Sequence, residues 1–394
     1  MKILYFCQLY PPAICGGGEY IFYQFAKELA RRGHKVFVIT QRLKGMANYE
    51  KLSGISVYRV GPPIEYKGTL PPNLLENLGY IVSAVINGIA LVLRNRIDII
   101  HSNTYAPALA GQVCASLLGK PHIITVHDVY YIVSKDFWNK WASQASFGIF
   151  TAKLGSLIER IVLKLPANII HTVSKTSEYD LKICGLRKVT VISNGIALSD
   201  YDSVSVKKVN PHQAIYIGRL VFHKNLHTVI KAMKKVVAKI PDAKLVVVGD
   251  GPLIFSLKKL VMSLGISENV VFKGRVAHAK KVKLLKESSF LVFPSVVEGF
   301  GIVVLEAFAC CKPVLVSAVR PMTDIVQDGV DGFFIAPFDV DMWASIMYEM
   351  FSNFEKVVKM GIFGRKKIER KYTIQKSVEE LEKLYTSLYI RKVR

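Results

Sequence analysis

Two glutamates and several glycines stand close together in the string PSVVEGFGIVVLEAFACCKPV, which contains Glu298 and Glu306. Glu298 directly precedes Gly299-Phe300-Gly301, and a helical pattern begins near Ile302. Glycines let backbone N–H groups approach an anion closely, and a helix N-terminus attracts negative charge. Carboxylates accept hydrogen bonds from hydroxyls such as those of a sugar. The string therefore predicts a site for a ligand that carries both an anionic group and hydroxyls.

A second charged motif, YIGRLVFHKNL, places Arg219 and Lys224 just past the end of a predicted strand. Open α/β sheets bind ligands beyond the carboxyl ends of their strands. Two cations on one loop can neutralise a diphosphate, although each alone is more commonly a solvated surface group.

A third motif, PPAICGGGEY, leads from a strand through Gly16-Gly17-Gly18 into a helix. It matches neither common phosphate-loop pattern, so a flexible turn explains it equally well.

The elements that must position these motifs alternate regularly between short apolar runs and longer helical patterns, which predicts parallel α/β units. Predicted strands cover residues 3–7, 35–40, 55–60, 97–101, 122–127, 168–172 and 189–192 in the first half, and residues 214–217, 244–248, 270–272, 290–293, 313–316 and 333–335 in the second. Residues 197–212 are polar and turn-rich, and we interpret them as a linker between two doubly wound domains. The boundaries that follow are 1–197 and 210–370.

Composition excludes several classes of protein. With 51% hydrophobic and 21% charged residues among 394, the chain is not disordered. Its six cysteines show no paired or zinc-binding spacing, so they indicate a reducing compartment such as the cytoplasm. Residues 1–197 carry 22 basic and 11 acidic side chains and the remainder 31 and 19, so the net charge of +23 is evenly spread. That charge predicts anionic partners. No nucleic-acid-binding motif accompanies it.

Two apolar segments bear on membrane insertion. The start, MKILYFCQLY, is typical of a first strand and lacks a signal-peptide cleavage site. The run LGYIVSAVINGIALVL over residues 78–93 is shorter than the roughly 20 residues that span a bilayer. We therefore expect a buried helix there, in a protein that is soluble or peripheral.

Taken in order, the motifs resemble those of the retaining GT-B glycosyltransferases of family 4, over nearly the whole chain. Besides the strings above, the resemblance includes TVHD at 125–128, VISNGI at 191–196 and VVGDGP at 247–252. It implies two Rossmann-like domains facing an interdomain cleft, with a final helix in 371–394 crossing back to the first domain. It also implies a hexosyltransferase that uses a nucleotide-diphosphate sugar, without a metal ion or cofactor.

The resemblance also implies roles for individual residues. His127 would lie near the transferred sugar, and Arg219 and Lys224 would stabilise the departing diphosphate. Glu298 would contact donor hydroxyls, and Glu306 would bind the ribose. Gly17 and Gly18 would form the loop that contacts the donor phosphates. Arg275 and Val276 would line the base pocket. Backbone N–H groups in the glutamate string would contact sugar or phosphate, namely those of Phe300, Gly301, Ile302 and Val303.

Some positions depart from the family pattern. Ala197 replaces a common Asp, Asn225 replaces a usual Gly after Lys224, and Val319-Arg320-Pro321 with Asp324 replaces a Gly-Gly and a Glu. None removes a charge from the cation pair (Arg219 and Lys224) or the glutamate pair (Glu298 and Glu306).

The pair Asp339 and Asp341 has the spacing of a metal-binding Asp-x-Asp, but it opens a helical pattern, so we expect an N-cap instead.

The acceptor is not defined by these motifs. Residues 130–165 mix aromatic and basic side chains, including Trp138, Trp141, Lys135, Lys140, Lys153 and Lys164. That composition is typical of an interfacial helix, and equally of a helical hairpin packed on the first domain. With the first interpretation, the protein would be peripheral on an anionic membrane and the acceptor lipid-linked; otherwise a glycan is expected.

Rival functions remain open at this point. A GT-B-type nucleotide-sugar epimerase would release a nucleotide sugar and need no acceptor. A phosphorylase would need a pyridoxal lysine context, which the sequence does not show. A non-catalytic nucleotide-sugar-binding subunit is disfavoured because His127, the cation pair and the glutamate pair are all present.

Overall fold

The computed structural model describes residues 1–14, 16–66, 68, 72–133, 137–144 and 149–393. The chain divides into two compact units: unit 1 comprises Met1–Gly195 and Ile374–Arg394, and unit 2 comprises Ile196–Thr373. Residues 197–212, interpreted above as a linker, belong to unit 2 and begin with the short helix α8 (Ser199–Asp202). The interpretation as a linker is wrong because Tyr201 of this helix is fully buried.

Unit 1 is built on an eight-stranded sheet with the order β3-β4-β2-β1-β5-β6-β7-β8. All neighbouring strands are parallel except β3 and β4. The strands are β1 (Lys2–Phe6), β2 (Lys35–Leu43), β3 (Tyr49–Leu52), β4 (Ile55–Ile64), β5 (Ile99–Asn103), β6 (His122–Val126), β7 (Ile169–Thr172) and β8 (Val189–Val191). The helices are α1 (Gly17–Arg31), α2 (Leu74–Asn95), α3 (Ala106–Leu118), α4 (Tyr130–Val133), α5 (Phe137–Gln144), α6 (Ile149–Leu163), α7 (Lys175–Ile183) and α16 (Ile374–Val393).

Helices cover both faces of this sheet, as expected for parallel strands rich in β-branched residues. On one face Leu4 and Ile100 pack in a cluster with Tyr80 of α2 and Ala110 of α3. On the other face Tyr5 contacts Phe22 of α1, with ring centroids 5.3 Å apart. Packing on both faces therefore fixes the strands, and with them the loops that follow the carboxyl ends of the parallel strands.

Unit 2 has six parallel strands with the order β11-β10-β9-β12-β13-β14. They are β9 (Gln213–Ile217), β10 (Lys244–Val248), β11 (Val270–Gly274), β12 (Phe290–Phe293), β13 (Val314–Ser317) and β14 (Gly332–Ile335). The helices that follow α8 are α9 (Leu226–Val237), α10 (Ile254–Ser263), α11 (His278–Glu287), α12 (Ile302–Ala309), α13 (Met322–Ile325), α14 (Val340–Ser352) and α15 (Phe354–Lys371), and a 3-10 turn covers Phe222–Lys224. The core includes Trp343 and Phe290, both fully buried.

Helix α2 differs from its expected burial. It extends over 22 residues, so by length and composition alone it could cross a membrane, and 28% of its most apolar 18-residue window is buried. Tyr80, Ala84 and Leu91 pack into the core, whereas Val82 and Ile86 lie on the opposite, exposed side. The expectation of a buried helix is met on one side of α2, whereas the other side stays exposed among the described residues.

Candidate active site

The strand order of unit 2 creates a crevice where the connections change direction. From β9 the chain proceeds to β10 and β11 on one side, and then returns to β12 on the other side of β9. Ligands of open α/β sheets bind at such a switch point, beyond the carboxyl ends of the strands. The loops after β9 and β12 carry Lys224 and Glu298, so two of the predicted site residues lie at this position.

Lys224 and Glu298 form an ion pair, and both side chains are largely buried at 13% and 10% exposure. Two hydrogen bonds hold the loops together: Val296 N donates to the His223 carbonyl at 2.8 Å, and Ser295 Oγ donates to the same carbonyl at 3.2 Å. Because the carbonyl and the cation belong to neighbouring residues, these bonds fix the loop that carries Lys224 against the loop that carries Glu298.

Arg219 and Lys224 also converge on a shared neighbour. His223 is buried, which lowers its pKa well below the usual range, and the positive charges of Lys224 and Arg219 lower it further. The backbone carbonyl of Arg219 accepts a hydrogen bond from the Tyr216 hydroxyl at 2.9 Å. The two predicted cations therefore lie around one neutral imidazole at the end of β9.

The glycine string forms the N-terminus of α12. Gly301 is the N-cap with φ of +82°, a left-handed conformation, and an added Cβ would approach Met322 Cε to 2.5 Å. The left-handed φ is what favours glycine there, since the methyl group of Met322 ends a flexible side chain that can move. Ile302 and Val303 follow as the first two helical residues, whose N–H groups have no partner within the helix. Phe300 is buried and contacts Tyr372 edge-on.

Glu306 lies in the second turn of α12 and is 4% exposed. Its Oε1 accepts hydrogen bonds from the Tyr201 hydroxyl at 2.9 Å and from Lys281 Nζ at 2.6 Å. The ring of His278 contacts Tyr201 edge-on. Tyr201 and Lys281 were missed by the sequence analysis because they come from α8 and α11, far apart in sequence and without a motif around them.

Arg275 and Val276 follow β11, at the same edge of the sheet as the other site residues. Strand β11 is an edge strand, with β10 between it and β9. At roughly 4.8 Å per strand, these residues lie about two strand spacings from the β9 loop. They are near the site along the sheet edge, but not in the cluster around Lys224.

One departure from the family pattern, Asn225, and the Asp339–Asp341 pair have local explanations. Asn225 has φ of +51°, the conformation for which glycine is usual, and asparagine is among the few other residues that tolerate it. Its side-chain amide donates to the Pro337 carbonyl at 2.6 Å. Asp339 is the N-cap of α14 and accepts from Met342 N at 2.9 Å, which confirms the expected cap. Asp341 pairs with Lys235.

In unit 1, Gly17 and Gly18 are the first two residues of α1. An added Cβ at Gly18 would lie 2.9 Å from His127 Nε2, so the imidazole packs directly against the glycine backbone. His127 follows β6, and its Nε2 donates to Asn103 Oδ1 at 3.2 Å. The structure thus brings three predicted residues of unit 1 together, and it adds Asn103.

Burial lowers the pKa of His127, and nearby His171 lowers it further. The imidazole is therefore neutral at pH 7. A neutral imidazole has one donor and one acceptor nitrogen. Because the carbonyl oxygen of Asn103 can only accept, Nε2 carries the proton.

A buried hydrogen-bond chain lies beneath these residues. His171 Nε2 donates to the Ile192 carbonyl, and its Nδ1 accepts from Thr125 Oγ1 at 2.7 Å. Thr125 Oγ1 in turn accepts from His101 Nε2 at 2.7 Å, and His101 Nδ1 accepts from the Tyr385 hydroxyl at 2.6 Å. Because the chain ends on a carbonyl, every proton position in it is determined. It connects α16 to the strand that precedes His127.

The aromatic and basic segment at 130–165 is described only in part. Lys135 and the side chains of Trp141 and Lys153 lie outside the described residues. Trp138 Nε1 donates to Glu159 Oε2 at 2.9 Å, and Glu159 is 2% exposed. Trp138 is therefore engaged within unit 1, as expected of a packed hairpin.

Family models match both units of the chain. Residues 15–200 match Glycosyltransferase Family 4, and residues 200–367 match glycosyl transferases group 1. The glycosyltransferase MJ1607 of Methanocaldococcus jannaschii is 30% identical over 358 residues, which are 86% of this chain and 86% of that protein. The chain belongs to the group 1 glycosyltransferases.

Solved structures show the fold of this glycosyltransferase. Sucrose-phosphate synthase from Thermosynechococcus elongatus has a TM-score of 0.82 at 20% identity, covering 99% of both chains. HepE from Anabaena, solved in complex with UDP and glucose, has a TM-score of 0.74 at 19% identity, covering 98% of this chain and 100% of that one. Both likenesses show the GT-B fold, which confirms the expected fold class.

Proposed function

We propose that this glycosyltransferase moves a hexose-type sugar from a nucleotide-diphosphate sugar to a glycan or lipid-linked acceptor, with retention of configuration and without a metal ion. The observation that carries the proposal is the pairing of Lys224 with Glu298 at the switch point of unit 2, beside Arg219 and the N-terminus of α12. The complex of HepE with UDP and glucose supports a nucleotide sugar as the donor class.

The resting ion pair suggests how the donor is received. Breaking the sugar–phosphate bond leaves positive charge on the sugar and negative charge on the diphosphate. A diphosphate at the cations takes over Lys224, which frees the Glu298 carboxylate to accept hydrogen bonds from sugar hydroxyls. Arg219, Lys224 and the N–H groups of Ile302 and Val303 then hold the leaving group. Fixed donors of this kind each contribute about 3–4 kcal/mol to lowering a barrier.

Other residues position the reactants. Glu306, already held by Tyr201 and Lys281, is fixed to accept the ribose hydroxyls. In unit 1, neutral His127 and the first turn of α1 would meet the transferred sugar and the donor phosphates. Arg275 and Val276 would line the base pocket. Glu298 receives no role as a covalent nucleophile, because the acceptor attacks from the face that the diphosphate leaves.

The first test is thermal unfolding with UDP-, GDP- and ADP-sugars in the absence of metal. A donor at 100 times its Kd adds about 2.7 kcal/mol to the free energy of unfolding. We expect one nucleotide to stabilise the protein, and the shift to persist with EDTA. A folded sample that responds to none of them contradicts the proposed donor site.

The second test is turnover in the Lys224→Ala variant. Loss of a cation that stabilises the leaving group lowers kcat roughly a hundred- to thousandfold. Lys231→Ala, a change at an exposed lysine on α9, is the matched control and should keep its activity.

The unchanged protein distinguishes the rival functions. Formation of a nucleotide-sugar product without any acceptor would identify an epimerase instead, and donor binding without turnover would identify a binding subunit. An anomeric NMR signal showing inversion would contradict retention.

A further inference from the structure

Unit 1 carries an apolar face that the proposed chemistry does not use. Aliphatic residues recur along α2 at spacings of three and four residues and therefore share one side of the helix. They are Leu78, Val82, Ile86, half-buried Ile89 and Leu93. The exposed fractions of Val82, Ile86 and Leu93 are 60%, 63% and 64%. We call this side of α2, with Val113 and Leu117 of α3, the α2–α3 face.

Helices α2 and α3 pack against each other, so their exposed sides are neighbours. Cys114 of α3 packs against α2, since its Sγ contacts the Val85 carbonyl at 3.6 Å. Leu117 follows Cys114 by one helical turn and is 66% exposed, so it extends the stripe of α2 sideways. Soluble monomers rarely expose contiguous apolar patches beyond a few hundred Å², and larger ones mark interaction sites.

Apart from half-buried Ile89, which packs against the core, this face does not serve the core of unit 1. The side of α2 that faces the sheet is filled by Tyr80, Ala84 and Leu91, which are at most 6% exposed. The exposed aliphatic residues lie on the other side of the same helix. Because α2 is held in the core along its length, the helix can lie along an apolar layer but does not cross it while unit 1 is folded.

Cations cluster at one end of the face. Arg94 and Arg96 stand at the C-terminal end of α2, and Lys120 follows the end of α3. Beside Lys120 is a pocket of about 500 Å³ that is also lined by Lys188 and Arg391. Within the described part of the chain, none of these five cations forms an ion pair. Their charge is therefore available to an anionic surface.

The chemistry of the face favours lipid over protein. Interfaces between proteins are enriched in aromatic residues, methionine and arginine at their centre. The centre of the α2–α3 face is aliphatic, and the cations beside it carry the charge that attracts a surface to anionic lipids. We propose that the α2–α3 face rests on an anionic lipid bilayer, with its aliphatic side chains below the headgroups and Arg94, Arg96 and Lys120 at the phosphates.

The test is flotation of the full-length protein with vesicles of phosphatidylcholine alone or with 30% phosphatidylglycerol, without any sugar donor. We expect at least tenfold more binding to the anionic vesicles. Val82→Ser with Ile86→Ser should lower that binding about tenfold, because it removes buried apolar area. Arg94→Gln with Lys120→Gln should lower it more than tenfold, since each cation near an anionic surface contributes about fivefold.

Matched controls are available on α10 in unit 2. Phe255 and Met262 are 82% and 72% exposed, and Lys258 and Lys259 are exposed beside them. Changing these apolar residues to serine, or these lysines to glutamine, should leave vesicle binding within about twofold of the unchanged protein. Circular dichroism of each variant checks that it is folded.

Three outcomes overturn the proposal: equal binding to both vesicle types, unchanged binding by the α2 variants, or an equal loss in the α10 controls. A stable dimer that the α2 variants dissociate, with no vesicle binding, would assign the face to a second copy of the chain. Because the assay contains no donor, its result is independent of whether the proposed sugar transfer is correct.

Discussion

At the scale of single residues, the site depends on close approaches that a side chain would block. Gly18 in the first turn of α1 leaves space for the His127 ring, and Gly301 leaves space for Met322. Both glycines stand in motifs that the sequence analysis selected, but their contacts with His127 and Met322 required the structure. The motifs predict which residues do chemistry, whereas the fold determines what each one touches.

Gly18→Ala is expected to impair activity by moving His127. The new methyl carbon would lie 2.9 Å from Nε2, closer than side chains pack, so the ring must shift. Overpacking of this kind costs about 1–3 kcal/mol of stability. We expect kcat to fall at least tenfold, measured with the nucleotide sugar that stabilises the protein in the thermal unfolding test.

The neighbouring glycine provides the control. At Gly16 an added Cβ would lie 3.6 Å from Glu19 Oε2, an ordinary contact, and its φ of −153° suits any residue. Gly16→Ala should therefore stay within about twofold of the unchanged enzyme. Equal losses in both variants would mean that the glycine loop, and not the histidine, is what the enzyme needs.

At the scale of elements, most strands and helices could be predicted from the sequence, since apolar β-branched runs at regular intervals mark buried parallel strands. The missed strand is β3, whose sequence YEKL is polar and pairs at the edge with β4. The exposed side of α2 was also missed. A helix that is apolar on all sides has no periodicity from which its buried face can be predicted.

Two buried histidines of the unit 1 sheet, His122 and His171, make this unit sensitive to acid. Burial lowers the pKa of His122 to about 3 and of His171 to about 4, against about 6.5 in an unfolded chain. Below pH 6.5 the unfolded chain takes up protons that the folded chain does not. Each histidine therefore contributes stability that is complete above that pH and falls by up to about 1.4 kcal/mol per pH unit below it.

Urea unfolding between pH 7.5 and 5.0 measures this slope. His122→Gln should reduce the slope by one histidine's share, because glutamine does not titrate yet can still bond to Ser102 and Gln112, the present partners of His122. A slope that is the same in this variant and in the unchanged protein would locate the acid sensitivity elsewhere.

At the scale of the whole molecule, the two units differ in the number of chain segments that form them. Unit 2 is one continuous segment, whereas unit 1 needs α16 from the far end of the sequence. Glu382 of α16 accepts from Arg32 at 2.7 Å and contacts His34 Nε2 at 2.7 Å. Tyr385 of the same helix closes the hydrogen-bond chain on His101.

Deleting residues 374–394 should therefore destabilise unit 1 while leaving unit 2 folded. It leaves His101 without its hydroxyl partner and uncovers the side of α1 that packs on α16. We expect the calorimetric transition of unit 1 to move to lower temperature or disappear, with a separate transition retained for unit 2. Deleting only residues 390–394 is the control, and an unchanged melting profile in the longer deletion would contradict the role given to α16.

The return of α16 to unit 1 also sets an order for synthesis on the ribosome. Domains generally fold as units, the N-terminal one first as the chain emerges. Here the first unit to emerge lacks α16 until residues 374–393 have been synthesised, which is after all of unit 2. The newborn chain thus carries an open groove along α1, and a chaperone that recognises nascent apolar surface would meet it there.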